Sequence, residues 1–226
     1  MILMKLVKYN EGRLGALVDD SVIDLNYAFA AYKKSKGAAN PQRKADAKVP
    51  SCLLAFIKEG DAGLEKAKKA LEHVKAGACC GPKGQKLVYK KGEYKLKAPL
   101  PSNGTKIAMA GANFYDHSID AYKMIRGDTT TLEELKAKVA AGEYRTWGFW
   151  KQASFVRDPG TETPYPASTK RMDYEVELAA VLGKYAKDTV EENGMDYIYG
   201  YTIVNDLSKR DGAFGGGPDG FFWAKN

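Results

Sequence analysis

The chain has 226 residues, 44% of them hydrophobic, and a formal net charge of +7. That length can bury a substantial core, as one large domain or a domain with a smaller appendage. No apolar run approaches the roughly 20 residues that cross a bilayer, so the reading expects no membrane span and no signal peptide.

The charge is unevenly placed. Residues 1–100 carry 20 Lys and Arg against 10 Asp and Glu, a net of +10, whereas residues 101–226 carry 15 against 18, a net of −3. The basic residues of the first part fall on an amphipathic helix (Lys66, Lys68, Lys69, Lys75) and in loops (Lys33, Lys34, Lys36, Arg43, Lys44, Lys48) without interleaved aromatics. They read as solvated faces, and no nucleic-acid partner is expected. Cys52, Cys79 and Cys80 give an odd cysteine count with no metal-ligand spacing, which predicts unpaired thiols in a reducing, cytoplasmic setting.

In chain order, an opening hairpin is followed by helical pieces separated by a loop, Ser35-Lys36-Gly37-Ala38-Ala39-Asn40-Pro41. Ser51 is placed to cap a short helix with Leu53, Leu54 and Ile57 inward. Asp61 is placed to cap a longer one whose inward stripe is Leu64, Ala67, Leu71 and Val74, ending near Gly77. Residues 86–100 read as strand and linker. Lys106-Ile107-Ala108-Met109-Ala110-Gly111 reads as a strand that delivers His117 into a loop, where positioned catalytic groups are common. Asp120 follows three residues on, close enough on a helical turn to orient the imidazole. The other histidine, His73, reads as an ordinary helix-surface residue. Thr130-Thr131-Leu132-Glu133 reads as a capping box, opening a helix with Leu132, Leu135 and Val139 on one stripe that Gly142 can end. The segment from Asp120 to Lys151, anchored by Trp147, Phe149 and Trp150, is a lid, a pocket wall or an oligomer contact.

The most informative feature lies beyond it. In Arg171-Met172-Asp173-Tyr174-Glu175-Val176-Glu177-Leu178-Ala179-Ala180-Val181-Leu182-Gly183, Glu175 and Glu177 are two residues apart on a predicted strand and share one face. The continuation through Leu178–Leu182 has the pattern of a strand covered on both faces. A second predicted strand, residues 197–206, ends in Asp206. Neighbouring carboxylates repel and resist desolvation, so a cation between them is the simplest resolution. Three carboxylates with no nearby His or Cys favour Mg²⁺, Mn²⁺ or Ca²⁺ over zinc. A solvated face of an edge strand is the alternative for an isolated pair of this kind.

Three blocks carry a resemblance: Asp173-Tyr174-Glu175-Val176-Glu177-Leu178, Gly200-Tyr201-Thr202-Ile203-Val204-Asn205-Asp206-Leu207-Ser208-Lys209-Arg210-Asp211, and Gly111-Ala112-Asn113-Phe114-Tyr115-Asp116-His117. Together they resemble the signature blocks of the fumarylacetoacetate hydrolase family. The opening Met4-Lys5-Leu6-Val7-Lys8-Tyr9 is similar to the family's small N-terminal region. The resemblance implies an α+β chain: a small N-terminal α+β region over 1–98, then the family's mixed β-rich rolled-sheet catalytic domain over 99–226. It also implies that further strands follow in relatives, so the reading expects a fragment or truncated product.

By resemblance, Glu175, Glu177 and Asp206 hold the metal, and His117 with Asp120 activates water. Lys225 stabilises an enolate oxygen, while Tyr115, Lys151 and Arg210 bind substrate. Two departures stand out: Asp120 replaces a common glutamate, and Ala213 in the glycine-rich run 212–220 stands near a usual glutamine. The implied substrates are small 2-keto or diketo acids, as in aromatic catabolism, and the implied assembly is a homodimer. The leading expectation is a metal-dependent hydrolase that cleaves a C–C bond in an acylpyruvate-like or fumarylacetoacetate-like acid. The alternatives are an isomerase or decarboxylase of 2-hydroxymuconate-like or 2-keto acids, and a noncatalytic metal-binding scaffold.

Overall fold

The computed structural model describes residues 4–100, 104–127, 129–144, 147–211 and 224–226; the glycine-rich run from Gly212 lies outside them. It divides into two compact units. The first takes the described residues up to 100 with Arg157–Thr163 and Glu177–Val204. The second takes the described residues of 104–156 with Pro164–Val176 and Asn205–Asn226.

The first unit opens with strands β1 (Lys5–Tyr9), β2 (Arg13–Val18) and β3 (Ser21–Asp24), each antiparallel to the next. Asp24 ends β3 and caps α1 (Leu25–Ser35), its carboxylate accepting from Tyr27 N at 2.8 Å. The same fully buried carboxylate accepts from Tyr9 Oη at 2.6 Å and from Arg13 Nε at 2.6 Å and Nη2 at 3.1 Å. Burial, and then the Asp24 charge, hold the Tyr9 hydroxyl far above the ordinary tyrosine range. Helices α2 (Pro41–Lys48), α3 (Leu53–Ile57) and α4 (Gly60–Lys75) follow. Short strands β4 (Val88–Tyr89) and β5 (Leu96–Lys97) complete a five-stranded sheet of order β4-β3-β2-β1-β5.

The expected stripe of α4 is inward: Ala67 is buried, and Leu64, Leu71 and Val74 pack against the core formed by Leu14, Leu25, Phe29, Val49, Phe56 and Leu87. The two caps differ from expectation. Helix α3 starts one residue after Cys52, and Ser51 instead accepts Leu14 N through its carbonyl at 2.6 Å. Helix α4 starts at Gly60 behind Glu59, with no side-chain cap, and Asp61 falls in its first turn, where its charge complements the helix dipole.

In the second unit, β6 (Ile107–Gly111) pairs antiparallel with β7 (Trp147–Lys151), Gly111 opposite Trp147 and Ile107 opposite Lys151. Gly148 is needed for this pairing, because a Cβ there would stand 2.5 Å from Met109 O. Between them lie α5 (Tyr115–Arg126) and α6 (Leu132–Ala140). The capping box forms one residue later than read, between Thr131 and Glu134.

The carboxylate-bearing stretch is an interrupted antiparallel ribbon. Strand β8 (Met172–Asp173) gives way to β9 (Val176–Leu182), and β10 (Ile198–Asn205) to β11 (Ser208–Lys209). Lys209 lies opposite Met172 and Ser208 opposite Asp173, and backbone bonds tie the two arms further along, Asp206 N donating to Glu175 O at 2.7 Å and Gly183 N to Tyr197 O at 2.9 Å. One expectation fails here. The apolar run of β9 is covered on one face only: Val181 packs with Tyr199 against the first unit's core, while Val176, Leu178 and Leu182 are 66%, 73% and 57% exposed. A wholly apolar run does not by itself tell two-sided burial from burial on one side.

Candidate metal centre

The ribbon explains how the acidic cluster is assembled. Side chains alternate along a strand, so Asp173, Glu175 and Glu177 share one face, and Asp206, Ser208 and Arg210, on the paired arm, project from that same face. Glu175 stands across the ladder from Asp206, and Glu177 is joined to Glu175 through Val176 alone. One oxygen from each of Glu175, Glu177 and Asp206 can be chosen so that all three lie within 4.8 Å of one another. Carboxylates directly opposite across a sheet are destabilising unless compensated, and Asp206 is only 1% exposed.

Compensation comes from three cations. The buried Lys225 Nζ donates to Glu175 Oε2 at 2.6 Å, Asp206 Oδ2 at 3.0 Å and Ser208 Oγ at 2.7 Å. All three ammonium hydrogens are thus used, and the Nζ also lies 5.2 Å from the Phe149 ring centroid. Lys151, at the end of β7, donates to Asp206 Oδ1 at 2.5 Å and to the carbonyl of Lys225. Arg210 donates through Nε to Asp173 Oδ2 at 2.9 Å and through Nη2 to Glu175 Oε1. This guanidinium hydrogen bond holds the Asp173 carboxyl below the usual carboxylate range. Asn205 steadies the turn, its Oδ1 accepting from Glu175 N at 3.1 Å.

The donor set suits a hard divalent ion: oxygen only, three carboxylates, convergent. Each carboxylate has lone pairs beyond those already engaged, yet an ion bridging Glu175 and Asp206 would share its oxygens with the Lys225 ammonium. The residues fit such an ion, with Lys225 as its immediate competitor.

The structure gathers Glu175, Glu177, Asp206, Lys151, Arg210 and Lys225. It does not gather the expected base. His117 lies in the first turn of α5 rather than in a loop, and it is exposed, as are Asp120 and Tyr115. Among the described residues no hydrogen bond joins His117 to Asp120. Position 213 lies outside the described residues. Ser208 and Asn205 went unread in the sequence. The signal for Ser208 was present: it stands two residues beyond Asp206, hence on the same face.

Comparison with known proteins settles the lineage. The model of the fumarylacetoacetate (FAA) hydrolase C-terminal family matches residues 106–225. The chain belongs to the fumarylacetoacetate hydrolase family. Oxaloacetate tautomerase YisK of Bacillus subtilis is 28% identical over 213 residues, which are 90% of this chain and 58% of that protein. The mitochondrial oxaloacetate tautomerase fahd2 of Xenopus laevis is 26% identical over 215 residues, 92% of this chain and 53% of that protein. The chain therefore spans a little over half the length of these relatives. Among solved structures, maleylpyruvate hydrolase from Sphingobium sp. SYK-6, in complex with manganese(II) ion and pyruvate, aligns with a TM-score of 0.55 at 21% identity. That alignment covers 92% of this chain and 60% of the other, and it shows the mixed α+β fold of the family. No helix among the described residues is long and apolar enough to cross a membrane.

Proposed function

We propose that the chain carries the metal-dependent site of an enzyme acting on a small 2-keto diacid, and that its reaction is enol–keto isomerisation of an oxaloacetate-like substrate. The observation that carries this reading is the contrast within the site. The carboxylates Glu175, Glu177 and Asp206 converge with Lys225 and Arg210, whereas His117 and Asp120 are exposed and unjoined. Isomerisation needs a carbonyl polarised and a proton moved between carbon and oxygen; hydrolysis needs in addition a base aimed at water. Both curated relatives above are named as oxaloacetate tautomerases, in keeping with the reading.

A bound divalent ion would supply Lewis acidity, stabilising negative charge that develops on a keto oxygen. Glu175, Glu177 and Asp206 would hold it; Mg²⁺ and Mn²⁺ both suit three carboxylates, and the solved maleylpyruvate hydrolase contains manganese(II). Lys225, buried and with its ammonium fixed by three acceptors, places positive charge beside the same oxygen. Arg210 offers a substrate carboxylate a planar donor pair while orienting Glu175.

The test follows the ultraviolet absorbance of enolic oxaloacetate, with the purified chain and Mn²⁺. A Mn²⁺-dependent acceleration should be lost in Glu177→Ala, together with Mn²⁺ binding by calorimetry. Wild-type binding and rate in that variant would end the proposal. C–C hydrolysis of an acylpyruvate is the second reading, supported by the hydrolase neighbour's fold. Release of pyruvate from that substrate without oxaloacetate isomerisation would select it.

A further inference from the structure

The three cysteines lie far along the chain from this centre, in the first unit, and two of them are adjacent. Cys79 and Cys80 are both exposed and free, with their sulfurs 3.8 Å apart. The backbone that presents them is constrained. Cys80 forms a bridge with Lys86 across a tight hairpin, closed by Gly81 N to Gln85 O at 2.8 Å and Gly84 N to Gly81 O at 3.1 Å. Lys34 Nζ, reaching from the end of α1, fastens the hairpin through Pro82 O at 2.9 Å.

We propose that Cys79 and Cys80 form a bidentate thiolate site for a thiophilic d¹⁰ cation of the zinc and cadmium class. Thiolates about 2.3 Å from a shared tetrahedral ion stand about 3.8 Å from each other, the separation already present. The pair needs no rearrangement to chelate, and water completes the coordination on the exposed side. The spacing does not match the two-residue gap of common zinc motifs, so what marks the pair is the 3.8 Å approach of the two sulfurs.

Disulfide formation is the competing fate, and geometry disfavours it. Adjacent Cα atoms across a trans peptide are about 3.8 Å apart, short of the roughly 4.4 to 6.8 Å that disulfides span without strain. Each thiol must release its proton: one divalent ion and two thiols give the dithiolate complex and two protons, with no change of oxidation state. The Cys79 thiol beside it raises the Cys80 thiol pKa, through their hydrogen bond and mutual repulsion, while the Lys34 charge opposes this. A cation shared by both sulfurs removes that repulsion, and soft thiolates prefer such ions to the hard ions suited to Glu175, Glu177 and Asp206.

The full chain, reduced and free of oxygen, is titrated with Cd²⁺ while the ultraviolet thiolate-to-cadmium band is followed. Carboxylates give no such band, so the readout is independent of the acidic centre. One ion per chain is expected to saturate the band. Cys79→Ser and Cys80→Ser should each weaken Cd²⁺ binding by about 100-fold or more through loss of chelation, whereas Cys52→Ser should behave as wild type. A wild-type band in Cys80→Ser, dependence on Cys52, or saturation at one ion per two chains would overturn the proposal. Circular dichroism on each variant separates loss of binding from loss of fold.

Discussion

Lys225 does at the residue scale what a metal ion would do between carboxylates. Its ammonium holds Glu175 and Asp206 together, so Lys225→Met should have two opposite effects. Removing one partner from a buried ionic cluster typically costs about 3 to 5 kcal/mol, and the ion-free protein should melt earlier accordingly. At the same time a positive competitor for the same oxygens is gone, so Mn²⁺ should bind more tightly by calorimetry and restore much of the lost melting temperature. An unchanged ion-free melting curve would mean that the ammonium is not compensating these acids. The triad itself was legible because side-chain alternation on a strand is a matter of counting. The cations were legible only through family resemblance, since nothing in local sequence says that Lys225 returns to a residue fifty positions earlier. Lys151 is the instructive case: read as a substrate ligand, it is engaged with Asp206 at 2.5 Å.

At the scale of elements, β10 brings a tyrosine under the first unit's core without giving its hydroxyl a partner. Tyr199 Oη is buried and unbonded among the described residues, and its pKa is pushed up to about 12, chiefly by burial and secondarily by the Asp61 charge. An unfolded tyrosine ionises near pH 10, so the unfolded chain releases this proton first as pH rises. The tyrosine's contribution to stability is thus fully present below about pH 10 and is lost through about pH 12. Tyr199→Phe should remove that alkaline loss and, by removing an unsatisfied donor, add about 1 kcal/mol near neutrality. Denaturant melts of both proteins between pH 7 and 11 would show it; parallel pH profiles would refute it. The helix caps show why sequence fails at boundaries: Ser51 and Cys52 compete for the same role within one residue, and the bond from Leu14 N to Ser51 O decides it. Similarly, Thr130 and Thr131 both begin an S/T-x-x-E pattern, and only tertiary placement selects Thr131 with Glu134.

The two units differ in what holds them at the scale of the whole molecule. The fully buried apolar side chains fall almost entirely in the first hundred residues, whereas in the second unit Met109, Leu135 and Ala224 are the buried hydrophobics among the described residues. Ion pairs and ladder bonds around the acidic centre bear more of the load there. Divalent ion held by Glu175, Glu177 and Asp206 should therefore protect the strands around the acidic centre more than the helices of the first unit. At 100 times its dissociation constant, an ion that binds only the folded state adds about 2.7 kcal/mol. Amide exchange with Mg²⁺ should slow in β6, β7 and β11 and leave α1 and α4 unchanged. Equal slowing in both units, or none in the second, would contradict this. The hydrophobic periodicity of the first hundred residues made that unit readable. The second unit was readable by motif alone, because its stability is written in long-range charge pairs that no local pattern reveals.

Because the acids sit on paired strands, substitutions and deletions in the ribbon should act differently. Point substitutions along β9 and β10 alter one side chain each. Deleting a single residue between Glu177 and Leu182 leaves the order of amino acids nearly intact, yet it either slides one strand against the other or turns Glu175 and Glu177 from the face they share with Asp206, because alternation has a period of two. A change of length in this stretch should therefore disturb the acidic centre more than a change of identity. Added or removed residues should be tolerated best in the connection between Gly183 and Tyr197, which closes the ribbon at the end away from the acids.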